Sequence, residues 1–280
     1  MTKKLGGDPR LVDRIIPKDF NVGCRRPTPG NGYLEALVGE KTTTFTETIG
    51  AITPNGFKDA AGNEYEVDVI ICATGFDTTY KPQFPVVGLN GTVLQERWAK
   101  IPESYLGAAA PQMPNYFMFT GPFTPVAQGA ILPIITHMSN YFVQVIRKMS
   151  SQHIRRLSPK ESVIAQFMEH CRAYLPRTCW SDPCASWFKQ GTDGPLVMWP
   201  GSRLAFFEAV KTPNFEDYDI EYFSQNRFGF LGSGFAWYEF REDGDTTPYL
   251  DGEFKTALPR KRVQELIEQS KKPKLVEGRL

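Results

Sequence analysis

The sequence predicts an α/β fold with α+β character, and three observations predict it. The first is the run Glu64-Tyr-Glu-Val-Asp-Val-Ile-Ile-Cys-Ala-Thr-Gly-Phe-Asp77. Its Val67, Val69, Ile70 and Ile71 are β-branched and nearly continuous, which fits a strand buried on both faces, as in a parallel sheet covered by other layers. The second is the pair of turn signals just before it, Asn55-Gly56 and Asp59 to Glu64, which predict a three-stranded meander delivering the chain into that strand. The third is a short apolar strand, Pro114 to Phe119, closed by Gly121-Pro122 and Pro125 and followed by a long helix from Ala127 to about Met149. Where the first run ends, side chains shrink to Ala73-Thr74-Gly75. A glycine there lets a ligand approach backbone amides closely, and ligands of open α/β sheets bind at that end of the strands.

Length and charge narrow the function. A chain of 280 residues suffices for one large or two ordinary domains with a real core. Its 32 basic and 31 acidic residues leave a net charge of +1, with only short basic clusters near the C-terminus, so no nucleic-acid partner is expected. The cysteines, Cys24, Cys72, Cys171, Cys179 and Cys184, are odd in number and scattered. With no apolar signal core in Met1 to Gly7, they predict a reducing, cytoplasmic compartment. No run approaches the roughly 20 apolar residues of a membrane span; Ala130 to Ile146 is interrupted by Pro133, His137, Ser139, Asn140 and Gln144 and reads as a buried helix. Neither the three histidines nor the cysteines show metal spacing. His137 reads as a satisfied helix histidine.

The remaining elements follow from local signals. Residues 5 to 16 predict a short amphipathic helix with Asp8 as N-cap and Pro9 at the first helical position, stopped by Pro17. An irregular loop then leads to a brief helix from about Tyr33. Residues 41 to 49, rich in threonine, predict a half-exposed strand. Ser158-Pro-Lys-Glu161 predicts a helix start with a capping box, and that helix should run to Tyr174. A polar, frayed tail is expected from Asp243.

Gly23-Cys24-Arg25-Arg26-Pro27, followed closely by Gly32-Tyr-Leu-Glu-Ala-Leu37, resembles the arginine-bearing linker of Baeyer–Villiger monooxygenases. Read from charge alone, Arg25-Arg26 is a surface cluster or an anion clamp on a phosphate. The resemblance implies that Arg26 is the catalytic arginine, whose permanent charge stabilises negative charge developing on the reacting oxygen. The segment ending in Ala73, Thr74 and Gly75 resembles the Ala-Thr-Gly strand of flavin-dependent monooxygenases, which implies that these residues and Gly121 lie beside FAD. Trp187, Phe188 and Trp199 are core aromatics by residue type; the resemblance implies a substrate pocket.

The resemblance reaches to about residue 240 and is closest to fungal enzymes of aflatoxin and sterigmatocystin type. It covers only the C-terminal half of their fold, which has two dinucleotide-binding domains; the N-terminal Rossmann strands and both Gly-x-Gly-x-x-Gly turns have no counterpart here. It implies the end of an NADP-binding domain with the arginine linker over residues 1–40, the C-terminal part of an FAD-binding domain over 41–150, a helical, aromatic substrate-side region over 151–240, and a polar tail over 241–280. FAD and NADPH are the implied cofactors and a ketone, of polyketide origin, the implied substrate. A homo-oligomer or a complementing chain is the implied partner, because a sheet without its first strands exposes edges. Two further classes use the same residues and stay open: a non-catalytic relic or interaction partner, and a flavin-free cyclase or isomerase with Arg26 as anion holder.

Overall fold

The computed structural model describes residues 1–24, 30–189, 194–247 and 268, and the chain forms two compact units, Met1–Gln225 and Asn226–Leu280. In the first unit, helix α1 (Pro9–Ile15) starts as its sequence dictates: the Asp8 carboxylate accepts from the amides of Arg10 at 2.8 Å and Leu11 at 3.5 Å, and Leu11 is buried. A single turn, α2 (Tyr33–Ala36), follows. Strands β1 (Ile49–Thr53), β2 (Gly56–Asp59) and β3 (Glu64–Glu66) then form the expected antiparallel meander. Its first loop is Pro54-Asn55, since Thr53 pairs with Gly56; a Cβ on Gly56 would lie 1.9 Å from the Tyr65 carbonyl oxygen, so only glycine fits there. Phe45, Phe57 and Tyr65 pack their rings together beside the sheet.

Here the structure corrects the sequence reading. The ladder stops at Glu66, and residues 67–72 form no strand. Val69, Ile71 and Phe76 are 74%, 87% and 97% exposed. The run has the composition of a buried parallel strand, but burial needs neighbours on both sides, and no strand among the described residues lies beside it. Every described strand pairing is antiparallel, so the α+β character is realised and the parallel sheet is not. Residues 42–46 are likewise irregular, with only Ile49 of the expected 41–49 strand entering β1. Phe117 makes one isolated bridge to Ala109 in place of the 114–119 strand. Asn115 and Thr120 take φ of +59° and +52°, values that no strand accommodates.

Beyond the one-turn α3 (Leu94–Arg97), the main core is built on α4 (Ile131–Ser151). That helix starts four residues later than Ala127, because Gly129 is left-handed and the Arg203 guanidinium binds the carbonyls of Gln128 at 2.7 Å and Ala130 at 3.3 Å. Ile134, Met138, Tyr141, Phe142 and Val145 form its buried face. Strand β4 (Ile154–Pro159) follows, then α5 (Glu161–Tyr174), α6 (Arg203–Ala209) and β5 (Tyr218–Tyr222), the last antiparallel to β4.

The capping box expected at Ser158 does not form. Ser158 and Pro159 pair with Asp219 and Tyr218 in the β4–β5 ribbon, and the Glu161 carboxylate is taken by Arg97 at 2.7 and 3.0 Å. Helix α5 nevertheless ends at Tyr174 as predicted, and α6 is capped by Ser202, whose hydroxyl accepts from the Ala205 amide at 3.2 Å. The scattered cysteines conceal a cross-link: Cys24 and Cys184, 160 positions apart, form a disulfide. Among the described residues no helix is long and apolar enough to cross a membrane, and no group of histidine, cysteine and acidic side chains could hold a metal ion.

Candidate functional site

The Ala73-Thr74-Gly75 turn is held at both ends and open between them. On its N-terminal side the Val67 amide donates to the Asn55 carbonyl at 3.0 Å, tying the run to the meander. On its C-terminal side the Asp77 carboxylate accepts from the Thr79 amide at 2.9 Å, a bond that holds its carboxyl below the usual range. Tyr80 then anchors the chain against both apolar clusters, and burial pushes its phenol up to about 12. Ala73, Thr74 and Gly75 themselves are exposed, and nothing lies within 4 Å of where a Cβ on Gly75 would be. A flavin laid on this turn would meet one wall. The described residues offer no glycine-rich cradle for its pyrophosphate, so they do not make up a complete FAD site.

Gly121 sits in a tightly wound segment over residues 104–126. The Ser104 hydroxyl donates to the Pro122 carbonyl at 2.7 Å and accepts from the Gly107 amide at 3.0 Å, while the Thr124 hydroxyl donates to the Gly121 carbonyl at 2.9 Å. The Gly121 amide donates to the Gly107 carbonyl at 3.1 Å, and a Cβ on Gly121 would sit 2.6 Å from that oxygen. Packing alone therefore requires this glycine. Leu106, Thr120 and Phe123 are left-handed, with φ of 52° to 67°. Each such non-glycine residue costs about 1–2 kcal/mol, and strain of this kind concentrates at ligand and active sites.

Phe123 also forms part of an apolar cleft of about 330 Å³, together with Ile101, Met168, Cys171, Leu175 and Leu196, with Arg172 and Ser181 as its polar members. That is the size of a small-molecule pocket. Burial pushes the Cys171 thiol up to about 12, so it is a neutral part of the wall. Sequence reasoning missed this cleft. The spacing of Ile164, Met168, Cys171 and Leu175 signals a buried helix face, and nothing in that periodicity distinguishes a wall from a core.

Of the aromatics singled out from the sequence, Trp187 is half exposed, whereas Phe188 and Trp199 are buried. Phe188 packs edge-on to Trp180 at 5.2 Å and Trp199 edge-on to Phe206 at 5.1 Å. None of the three lines the cleft. His137 stacks flat on Phe207 with ring centroids 4.0 Å apart, a packing role.

The segment leading to Arg25-Arg26 is pinned to the loop that carries Trp187. Asp182 accepts from the Asn21 amide at 2.8 Å and from its side-chain nitrogen at 2.7 Å, and the Cys24–Cys184 bond lies next to these contacts. Arg26 itself lies outside the described residues.

No family model matches the chain. Among curated proteins it is 37% identical over 247 residues to the FAD-binding monooxygenase moxY of Dothistroma septosporum, covering 87% of this chain and 39% of that protein. It is also 37% identical over 246 residues to the FAD-binding monooxygenase stcW of Emericella nidulans, covering 87% and 41%. A Baeyer–Villiger monooxygenase of Pseudomonas aeruginosa is 33% identical over 202 residues, covering 71% and 38%. Among solved structures, the closed form of cyclohexanone monooxygenase superposes with a TM-score of 0.68 at 21% identity over 79% of this chain and 43% of that one. OTEMO in complex with FAD and NADP gives 0.68 at 24% identity, over 78% and 43%. The chain thus spans about two fifths of the length of the curated relatives it matches, and its fold is that of the flavoprotein monooxygenases. The chain is similar in sequence to FAD-binding monooxygenases and in fold to cyclohexanone monooxygenase and OTEMO.

Proposed function

We propose that this chain is the C-terminal part of an FAD- and NADPH-dependent monooxygenase that inserts one oxygen atom of O2 beside a ketone carbonyl to give an ester or lactone. In this reading residues 1–40 end the NADP-binding domain, 41–150 complete the FAD-binding domain, 151–240 form the substrate side and 241–280 the tail. The observation that carries it is the exposed run from Val67 to Phe76. A β-branched stretch ending in Ala73-Thr74-Gly75 stands open, with Val69, Ile71 and Phe76 among the most exposed apolar side chains described, in a chain with this similarity to FAD-binding monooxygenases. The run is built to be covered, and a second polypeptide segment that pairs with it would complete both the sheet and the flavin site.

Within that assembly the flavin supplies the redox chemistry. Arg26 would contribute a charge that persists at any working pH and stabilises negative charge developing on oxygen. The backbone of Ala73 to Gly75, with Gly121, would hold the flavin in that assembly. The apolar cleft by Phe123 and Met168 suits a hydrophobic ketone, and the fungal relatives favour one of polyketide origin.

The test is a flavin titration of the chain assembled with a segment that completes the site, followed by NADPH oxidation with ketones, products being read by mass spectrometry for a gain of one oxygen. Arg26→Ala should abolish ester formation while flavin binding persists. A chain that binds FAD and forms ester equally well without Arg26 would overturn the assignment of that residue.

A further inference from the structure

A second chemistry lies away from the flavin-facing turn, around the buried Cys24–Cys184 bond. Lys189 is only 3% exposed, and among the described residues no carboxylate pairs with it. Its ammonium donates to the Asp182 carbonyl and stands 4.0 Å from the Cys24 sulfur. That sulfur also lies 3.2 Å from the same Asp182 carbonyl oxygen. The thiol of half-exposed Cys179 packs against the residue before Cys24, 3.0 Å from where a Cβ on Gly23 would be. Among the described residues this buried cation has no counter-ion, and such an arrangement is costly. It is accounted for if the sulfur it faces becomes an anion.

We propose that Cys24 and Cys184 form a thiol–disulfide exchange site whose reaction partners are small thiols of the glutathione class, with Lys189 holding the released Cys24 sulfur as a thiolate. Reduction begins when an external thiolate attacks the Cys184 sulfur. The Cys24–Cys184 bond breaks, a mixed disulfide forms on Cys184, and the electron pair leaves on Cys24 beside the Lys189 ammonium. A second external thiolate then attacks the sulfur of the bound thiol. The small disulfide departs, and Cys184 leaves as a thiolate that takes a proton from water. Two electrons have passed from two small thiols to the protein, and the reverse sequence, with the oxidised small disulfide as oxidant, closes the bond again. A nearby positive charge lowers a thiol's pKa, so Cys24 is the better leaving group and the reduced state is favoured. Cys184 is itself 1% exposed, so attack on its sulfur requires the short 179–185 loop to open, and Pro183 and Ala185 on either side of it are already exposed. The bond joins the segment ending at Cys24 to the loop carrying Trp187, so exchange releases or fastens that connection. This site is independent of the flavin reading.

The experiment equilibrates the full chain in buffers of set reduced-to-oxidised glutathione ratio, quenches with acid, alkylates and maps the peptides by mass spectrometry. The linked Cys24–Cys184 peptide should rise and fall reversibly with the ratio, through a glutathione adduct on Cys184, while Cys171 stays a free thiol throughout. Lys189→Met should lower the equilibrium constant for reduction about tenfold, and Lys189→Arg should restore it. If the methionine variant does not fold, the adduct map of the unaltered chain decides alone. Cys24 and Cys184 recovered as free thiols at every ratio, an adduct confined to Cys179, or a folded Lys189→Met variant with an unchanged constant would each overturn the proposal.

Discussion

The amide of Gly121 donates to the carbonyl of Gly107 at 3.1 Å, and the two backbones are so close that a methyl group on Gly121 would meet that oxygen at 2.6 Å. Glycine at 121 is thus set by packing whatever the segment binds. Gly121→Ala should cost about 1–3 kcal/mol, the range for overpacking a well-filled site, measured as a lower urea midpoint with an unchanged slope. An unaltered midpoint would mean that the segment relaxes freely and that its left-handed residues are not locked.

The exposed run predicts the opposite response. Replacing Val69 and Ile71 with lysine should change the stability of the chain by itself by no more than about 0.5 kcal/mol, as for surface sites, while reducing self-association. Chemical denaturation and light scattering measure the two effects. A large loss of stability would show that the run is packed in solution.

Tyr141 and Tyr218 share a buried hydroxyl–hydroxyl hydrogen bond of 2.7 Å. Burial pushes the Tyr141 phenol up to about 12 and raises Tyr218 in the same direction. An unfolded tyrosine titrates near about 10. The folded state therefore holds the proton more tightly, and the associated stability is fully present below pH 10 and lost as pH rises towards 12. For Tyr141 this amounts to about 2–3 kcal/mol. Urea titrations between pH 9 and 11.5 should show the decline, and Tyr141→Phe should make it shallower.

The Cys24–Cys184 bond closes a loop of 160 residues in sequence separation. A bond of that span adds about 2–5 kcal/mol by restricting the unfolded chain. Cys24→Ser and Cys184→Ser should each lower the thermal midpoint, and added reductant should then cause no further shift. A reductant-sensitive midpoint in either variant would place the effect elsewhere.

What the sequence makes legible is local. Asp8 and Pro9 start α1, the turn residues after Thr53 and Asp59 set the meander, and the spacing of Ile134, Met138, Tyr141 and Val145 gives α4 its buried face. Long-range competition overrides the rest. Ser158 and Glu161 have the pattern of a capping box, yet a strand and Arg97 claim them. Val67 to Cys72 have the pattern of a buried strand, and no strand among the described residues lies beside them to bury them. The partnership of Cys24 with Cys184 is invisible in their spacing, and the cleft at Phe123 and Cys171 arises where a helix face meets a strained segment far away in sequence. Ala73 to Gly75 are exposed, whereas Phe188 and Trp199 are packed inside.

The most direct test of the central claim is an FAD titration, followed by the flavin absorbance bands, of the purified chain by itself and co-expressed with the stretch of the Dothistroma septosporum monooxygenase that it does not match. Saturable binding with shifted bands in the co-expressed assembly, together with weak or no binding by the chain by itself, is the predicted result. A folded assembly that leaves the flavin spectrum unchanged at saturating FAD would contradict the claim that the Val67 to Phe76 run is one wall of a flavin site.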